Sequence, residues 1–227
     1  MRKLMRLFHL AEYGWDELLL AIGAAVVAGY LLSNFVDWRF SFILLLPLGM
    51  VLWFFRDPNR TGTEDELTFL APADGTVKDI VELDEPEFIQ GKALRIGIFL
   101  SPLNVHVNRT SCAGTVQFFK FKSGEFLPAY NPKAPERNES ASLGLVTSRQ
   151  RKVLLKQITG VLARRIICEA KIGDLLARGQ RYGMIKFGSR TELYVPVSDN
   201  PVAAVKVGDK VKGGETVVCR IGERANT

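Results

Sequence analysis

The chain has 227 residues and a mass of 25.3 kDa, room for one sizeable core or a small core with an appendage. Hydrophobic residues at 47% and charged residues at 24% exclude a disordered chain, and 20 Gly and 10 Pro exclude a collagen-like one. The net charge of +6, with a pI of about 9.3, suits nucleic acid or an anionic membrane surface; no base-stacking or groove-reading motif accompanies it, so no nucleic-acid partner is expected.

Apolar residues crowd the N-terminus. Residues 18–36 (LLLAIGAAVVAGYLLSNFV) run for 19 positions without a charge, close to the roughly 20 that a bilayer-crossing helix needs. Residues 40–55 (FSFILLLPLGMVLWFF) form a second uncharged run of 16. As an α-helix it rises only about 24 Å, and it contains Pro47, so it spans a thinned bilayer or enters as a re-entrant arm. Arg2, Lys3 and Arg6 precede the first run, Arg56 and Arg60 follow the second, and the connection holds only Arg39. That bias places both ends on the cytoplasmic side of the cell membrane. Trp15, Trp38 and Trp53 fall near the ends of the runs, as interfacial anchors do. A second apolar run, with no small-residue cleavage site before it, argues against a signal peptide. The expected organisation is a membrane-anchoring helical hairpin over 1–60 and a globular domain over 61–227, against the cytoplasmic leaflet.

The globular part shows short β-rich runs punctuated by Gly, Pro and Asp: 76–83, 93–100, 104–108, 114–121, 151–158, 164–170, 183–187, 191–197 and 216–221. No long amphipathic helix competes with them. Residues 123–145 read as a long polar loop of the kind kept for function. The segments KIGDLLARGQ (171–180) and KVGDKVKGGE (206–215) share the pattern K-[I/V]-G-D-x-[L/V]-x-x-G-[Q/E], with turn-forming Gly-Asp and Gly between strands. They resemble the hammerhead turns of biotinyl- and lipoyl-carrier domains. The expected fold is mainly β, a compact β-sandwich or barrel with hammerhead pseudo-symmetry, preceded by the apolar helical hairpin. The run 147–165 holds Arg149, Arg151, Lys152, Lys156, Arg164 and Arg165 with no acid, a face for anionic membrane lipid or a solvated strand face.

Few residues are equipped for chemistry. Cys112, Cys168 and Cys219 are odd in number and unevenly spaced, which is neither a disulfide framework nor a zinc site. Of two histidines, His9 lies beside the apolar hairpin, so only His106 serves the globular part; a multi-His site is excluded and no metal is expected. His106 lies in SPLNVHVNR, read as a strand with Val105 and Val107 on the opposite face. Taken alone it reads as a satisfied structural histidine, Asp74 in APADGTV as a turn residue, and Gly188 with Ser189 as a bulge or tight turn.

Together these segments say more. WFFRDPNR (53–60), APADGTV (71–77), SPLNVHVNR (101–109), GVLARRI (160–166) and RGQRYGMIKFGSRTELYVP (178–196) occur in that order. The chain from about residue 50 onward resembles the short, pyruvoyl-dependent phosphatidylserine decarboxylase proenzymes, and the apolar hairpin is typical of them. The resemblance implies that Ser189 attacks the Gly188 carbonyl, that the chain divides into a β-chain of residues 1–188 and an α-chain of residues 189–227, and that Ser189 becomes a covalent pyruvoyl group. It also implies a Ser189, His106, Asp74 set for self-cleavage. In turnover a Schiff base would form with phosphatidylserine, His106 would act as general acid, and phosphatidylethanolamine would be released. An α-chain/β-chain heterodimer is implied, with a homo-oligomer left open. One departure is visible: where the family carries Asn-Glu-Arg in a possible substrate loop, this chain has Asn138, Glu139 and Ser140.

Three other readings remain. A soluble pyruvoyl amino-acid decarboxylase does not account for the apolar runs. A membrane-tethered hammerhead adaptor does not account for Asp74, His106 and Gly188-Ser189 together. A Ser-His-Asp hydrolase lacks a G-x-S-x-G elbow.

Overall fold

The computed structural model describes residues 5, 8–161, 165–186 and 189–222 and forms two compact units, Met1–Asn59 and Arg60–Thr227. In the first unit a 3₁₀ turn (Glu12–Gly14) leads into helix α1 (Trp15–Phe35), and a 3₁₀ segment (Trp38–Leu44) leads into helix α2 (Leu45–Phe54). The 21 residues of α1 rise about 32 Å. The chain reverses at Val36, and Asp37 restarts it by accepting a hydrogen bond from Arg39 N at 2.9 Å. Ser41 Oγ then donates to the Gly29 carbonyl across the hairpin.

The second arm is longer than an all-α reading allows. Its 3₁₀ half rises faster per residue, so Trp38–Phe54 extends about 29 Å. Pro47 falls in the first turn of α2, where its missing N–H breaks no helical hydrogen bond. Among the described residues, only Glu12–Phe35 is both long and apolar enough to cross a membrane by itself. Leu20, Tyr30, Phe35, Leu46 and Met50 are 67–80% exposed, far more contiguous apolar surface than water tolerates.

The second unit is mainly β. Its strands are β1 (Thr68–Leu70), β2 (Gly75–Glu85), β3 (Gly91–Leu100), β4 (Val107–Arg109), β5 (Gly114–Lys122), β6 (Ser140–Val146) and β7 (Lys152–Ile158). They continue with β8 (Ile166–Cys168), β9 (Leu175–Leu176), β10 (Arg181–Ile185), β11 (Ser189–Pro196), β12 (Pro201–Ala203), β13 (Lys210–Val211) and β14 (Val217–Ile221). Helix α3 (Ala134–Arg137) is one short turn. Eight strands form an antiparallel sheet curled into a half-barrel, in the order β13-β2-β3-β11-β7-β6-β5-β9. Two small sheets, β1-β14-β12 and β4-β10-β8, accompany it. Ile96, Ile98, Leu143, Leu145, Leu155 and Leu193 point from the large sheet into the main core. Each such side chain, fully buried, contributes about 1.5–3 kcal/mol.

The order is palindromic. A pseudo-two-fold through the Leu193–Leu155 pair exchanges β11 with β7, β3 with β6, β2 with β5 and β13 with β9. The repeated segments are its outermost turns. Gly173 and Gly208 have φ of +96° and +98° and donate to Val116 O and Val77 O, both at 2.9 Å. Asp174 and Asp209 accept from Lys171 N and Lys206 N at 2.8 and 2.9 Å. A left-handed glycine followed directly by a short acceptor is what this turn requires.

Three expectations need correction. The long loop ends at residue 139, because SASLGLV pairs as β6 on both sides despite few β-formers. His106 precedes a strand rather than lying in one: Asn104 Oδ1 accepts from Ser101 N and Oγ, both at 2.8 Å, and this turn delays β4 to Val107. Val105, His106 and Val107 are all buried, so they do not alternate between faces. The basic run is not one face either. Arg149 and Arg151 lie beyond the far end of the sheet, paired with Glu66 at 2.9 Å and Asp199 at 4.0 Å. Lys156 is half-buried, its pKa lowered by desolvation, and donates to Pro135 O at 2.8 Å. Arg165 is exposed, and Arg164 lies outside the described residues.

Candidate active site at one end of the sheet

Register gathers the predicted residues. One row crosses five strands through Thr76, Phe99, Arg190, Ile158 and Ser140. One residue beyond it, at the same end of each strand, stand Gly75, Leu100, Ser189, Thr159 and Glu139. Asp74 immediately precedes this row on β2, Asn138 precedes it on β6, and the loop 101–106 leaves it from β3 towards His106. With strands about 4.8 Å apart, Gly75 and Ser189 lie about 10 Å from each other across β3. Gly188 lies outside the described residues.

Ser189 opens β11 and is wholly buried, and its Oγ has no hydrogen-bond partner among the described residues. An orphaned buried hydroxyl costs about 1–3 kcal/mol, and a folded chain seldom keeps one without a use. His106 is also fully buried. Its Nδ1 is 3.0 Å from the Asn104 carbonyl, which can only accept, so Nδ1 carries a proton and donates it there. The ring is thus oriented at Nδ1 by a backbone carbonyl.

Asp74 sits between two loops. Its Oδ2 is 2.9 Å from Arg60 Nη2, and its Oδ1 accepts from Gly213 N at 2.8 Å. Arg60 also reaches Glu215 at 3.1 Å, so this carboxylate fastens the turn before β14 to the start of β2. A Cβ on Gly213 would come within 2.9–3.2 Å of the Ala73 backbone, so the turn needs glycine to approach Asp74.

The Asn138 side chain is committed to structure. It donates to Leu127 O and Thr159 O, each at 2.8 Å, and accepts from Leu127 N at 2.9 Å. Glu139 has a pinned backbone, its carbonyl accepting from Thr159 N and Oγ1, and burial raises the pKa of its carboxyl. Ser140 is buried in β6.

Several contributors escaped the sequence reading. Asn108 Nδ2 donates to Thr191 Oγ1 at 3.1 Å, and Gln157 Nε2 donates to Asn108 Oδ1 at 2.8 Å. These bonds tie β4, and so the His106 loop, to β11 and β7 directly behind Ser189. Arg190 and Glu192 are buried in β11. The available signal was the density of polar residues in KFGSRTEL, a segment with no free edge for them.

The profile of a family described as Phosphatidylserine decarboxylase matches residues 48–219. A phosphatidylserine decarboxylase proenzyme of Symbiobacterium thermophilum is 42% identical over 96% of this chain and 98% of its own length. That of Carboxydothermus hydrogenoformans is 44% identical over 89% of this chain and 92% of its own, and that of Salinibacter ruber 45% over 81% and 82%.

Proposed function

The chain belongs to the phosphatidylserine decarboxylase family, and from that premise we propose that it is an enzyme that converts phosphatidylserine to phosphatidylethanolamine and CO2 with a pyruvoyl group made from its own Ser189. The observation that carries the mechanistic reading is the buried Ser189 Oγ without a partner among the described residues, at the first position of β11 and next to Gly188 in sequence. A hydroxyl so placed needs no displacement of a competing hydrogen bond to reach the carbonyl that precedes it.

In self-cleavage Ser189 Oγ attacks the Gly188 carbonyl carbon while its proton passes to a base, for which His106 Nε2 is the candidate. The Gly188–Ser189 C–N bond breaks, an ester C–O bond replaces it, and the amine of residue 189 is freed. Loss of the α-proton then breaks the Cβ–O bond. Gly188 leaves as a carboxylate and dehydroalanine remains at 189. Its enamine tautomerises, and water replaces nitrogen at the α-carbon, releasing ammonia and leaving the ketone. The β-chain ends at 188 and the α-chain spans 189–227.

The ketone, conjugated with the adjoining amide, supplies an electron sink for the pair left on the substrate α-carbon when CO2 departs. His106 Nε2, once protonated, is the group that returns a proton to that carbon. The Asn104 carbonyl holds the ring for both tasks. Asp74 holds Arg60 and the Gly213 turn against the start of β2, and the burial of His106 and Ser189 keeps bulk water from the reacting atoms. The exposed apolar hairpin favours a membrane-anchored enzyme over a soluble amino-acid decarboxylase, and the basic residues at both its ends favour a cytoplasmic catalytic unit.

Purified protein should run as two chains on a denaturing gel, the smaller blocked to N-terminal sequencing, and Ser189→Ala should stay whole. A single intact wild-type chain with full decarboxylase activity would overturn this reading.

A further inference from the structure

We infer that Arg190 is a positioning residue that holds the reactive end of the α-chain in register after the bond before Ser189 is cut; this rests on the cleavage reading above. Until cleavage, Ser189 is held from both sides of the chain. Afterwards residue 189 is a terminus, and strand termini fray unless tied down.

The tie is an ionic network on the face of the sheet opposite the main core, with Arg190 and Glu192 buried and Asp79 and Arg95 half-buried. Arg190 Nη2 lies 2.6 Å from Asp79 Oδ2 on β2, and Arg190 Nε donates to Glu192 Oε1 at 2.7 Å. The Asp79 contact is ionic rather than a directed hydrogen bond, since Nη2 has no well-aligned acceptor. Arg95 on β3 joins the same two carboxylates, at 3.0 Å from Asp79 Oδ1 and 3.6 Å from Glu192 Oε1. Tyr194 Oη donates to Glu192 Oε2 at 2.6 Å. The guanidinium of Arg190 lies across Gly97, where a Cβ would fall 2.0 Å from Nη2. Two carboxylates and two guanidiniums balance, and they cross-link three strands beside residue 189.

The pseudo-two-fold shows that the fold does not need this network. Its mates of Asp79, Gly97 and Glu192 are Phe118, Gly144 and Leu154, as the shared bulge and registers specify. There the ring of Phe88 stacks on Phe118 at 5.5 Å and covers Gly144, so the same surface is closed by apolar packing. A buried ion network is on average no more stabilising than such packing, but it is far more directional. It occurs in the half that carries Ser189.

The test crosses Arg190 with cleavage. Arg190→Met and Arg190→Lys are made in the cleaving protein and in a Ser189→Ala background, and amide exchange is followed in peptides covering β11. After cleavage Arg190→Met should raise exchange at the start of β11 at least ~10-fold and lower kcat with KM unchanged, whereas in the uncleaved background the rise should be under ~3-fold. Arg190→Lys should recover part of both. Equal rises in the two backgrounds would reduce Arg190 to an ordinary structural residue, and an unchanged kcat in matured Arg190→Met would also overturn the inference. If Arg190→Met does not fold or mature, Asp79→Asn is read by the same criteria. A wild-type chain that stays whole on a denaturing gel defeats the cleavage reading, and this inference with it.

Discussion

His106 and Asp74 are residues whose surroundings redefine what their mutation should do. With its Nδ1 held by the Asn104 carbonyl, His106 does not need a carboxylate to present Nε2. We therefore expect His106→Ala to slow self-cleavage by about 10²–10⁴, the usual worth of general-base help. Asp74→Asn can still accept from Gly213 N but loses the charge facing Arg60, so it should process more slowly than wild type yet faster than His106→Ala. Any His106→Ala protein that matures should still form an adduct with substrate trappable by borohydride, and should turn over poorly for lack of its proton donor. A matured His106→Ala enzyme with wild-type turnover would confine His106 to processing. These residues were legible in the sequence only as members of a motif set. Asn104, which orients His106, was not, because it acts through a backbone carbonyl that any residue would supply; Asn108 and Gln157 were not, because each acts through a partner brought near by folding.

The hammerhead turns illustrate which elements a sequence announces. A turn with a left-handed glycine leaves a fixed signature, so the repeat at 171 and 206 was visible, and both copies adopt the same turn. The rest of the symmetry was hidden, because its mates, Asp79 with Phe118 and Glu192 with Leu154, keep the geometry and reverse the chemistry. The two-residue strands β9 and β13 and the Ser- and Gly-containing β6 carry too little pattern to read. Gly173 and Gly208 face open space, so Ala there meets only backbone strain, and each substitution should cost about 1–2 kcal/mol in urea unfolding, the same within error. Gly213→Ala differs: its Cβ meets the Ala73 backbone and moves the turn that donates to Asp74. At matched stability Gly213→Ala should slow self-cleavage and Gly208→Ala should not. Equal processing in the two would separate the Gly213 turn from the site.

At the scale of the whole molecule, anchor and chemistry meet in one experiment. On the proposed cleavage at 188 the hairpin belongs to the β-chain, and the α-chain would be held by non-covalent packing of β11 to β14. We expect that packing to weaken in alkali. Burial pushes the thiols of Cys112 and Cys219 up to about 12, from an ordinary value of 9.0. A folded-state value above the unfolded one contributes stability that is complete below pH 9 and is lost as pH rises towards 12, at about 1.4 kcal/mol per pH unit for each thiol. Cys168, raised to about 11 by burial, adds to the same trend. Membranes carrying the mature enzyme should therefore retain both chains through a high-salt wash at pH 8. A wash near pH 11 should release the α-chain while the β-chain stays with the bilayer. Loss of both chains in salt would remove the integral anchor. Retention of both near pH 11, with two chains seen on a denaturing gel, would show that the buried thiols do not govern the alkaline stability of the β unit. Cys112→Ala/Cys219→Ala supplies the control: with the titrating groups gone, release of the α-chain should move to higher pH.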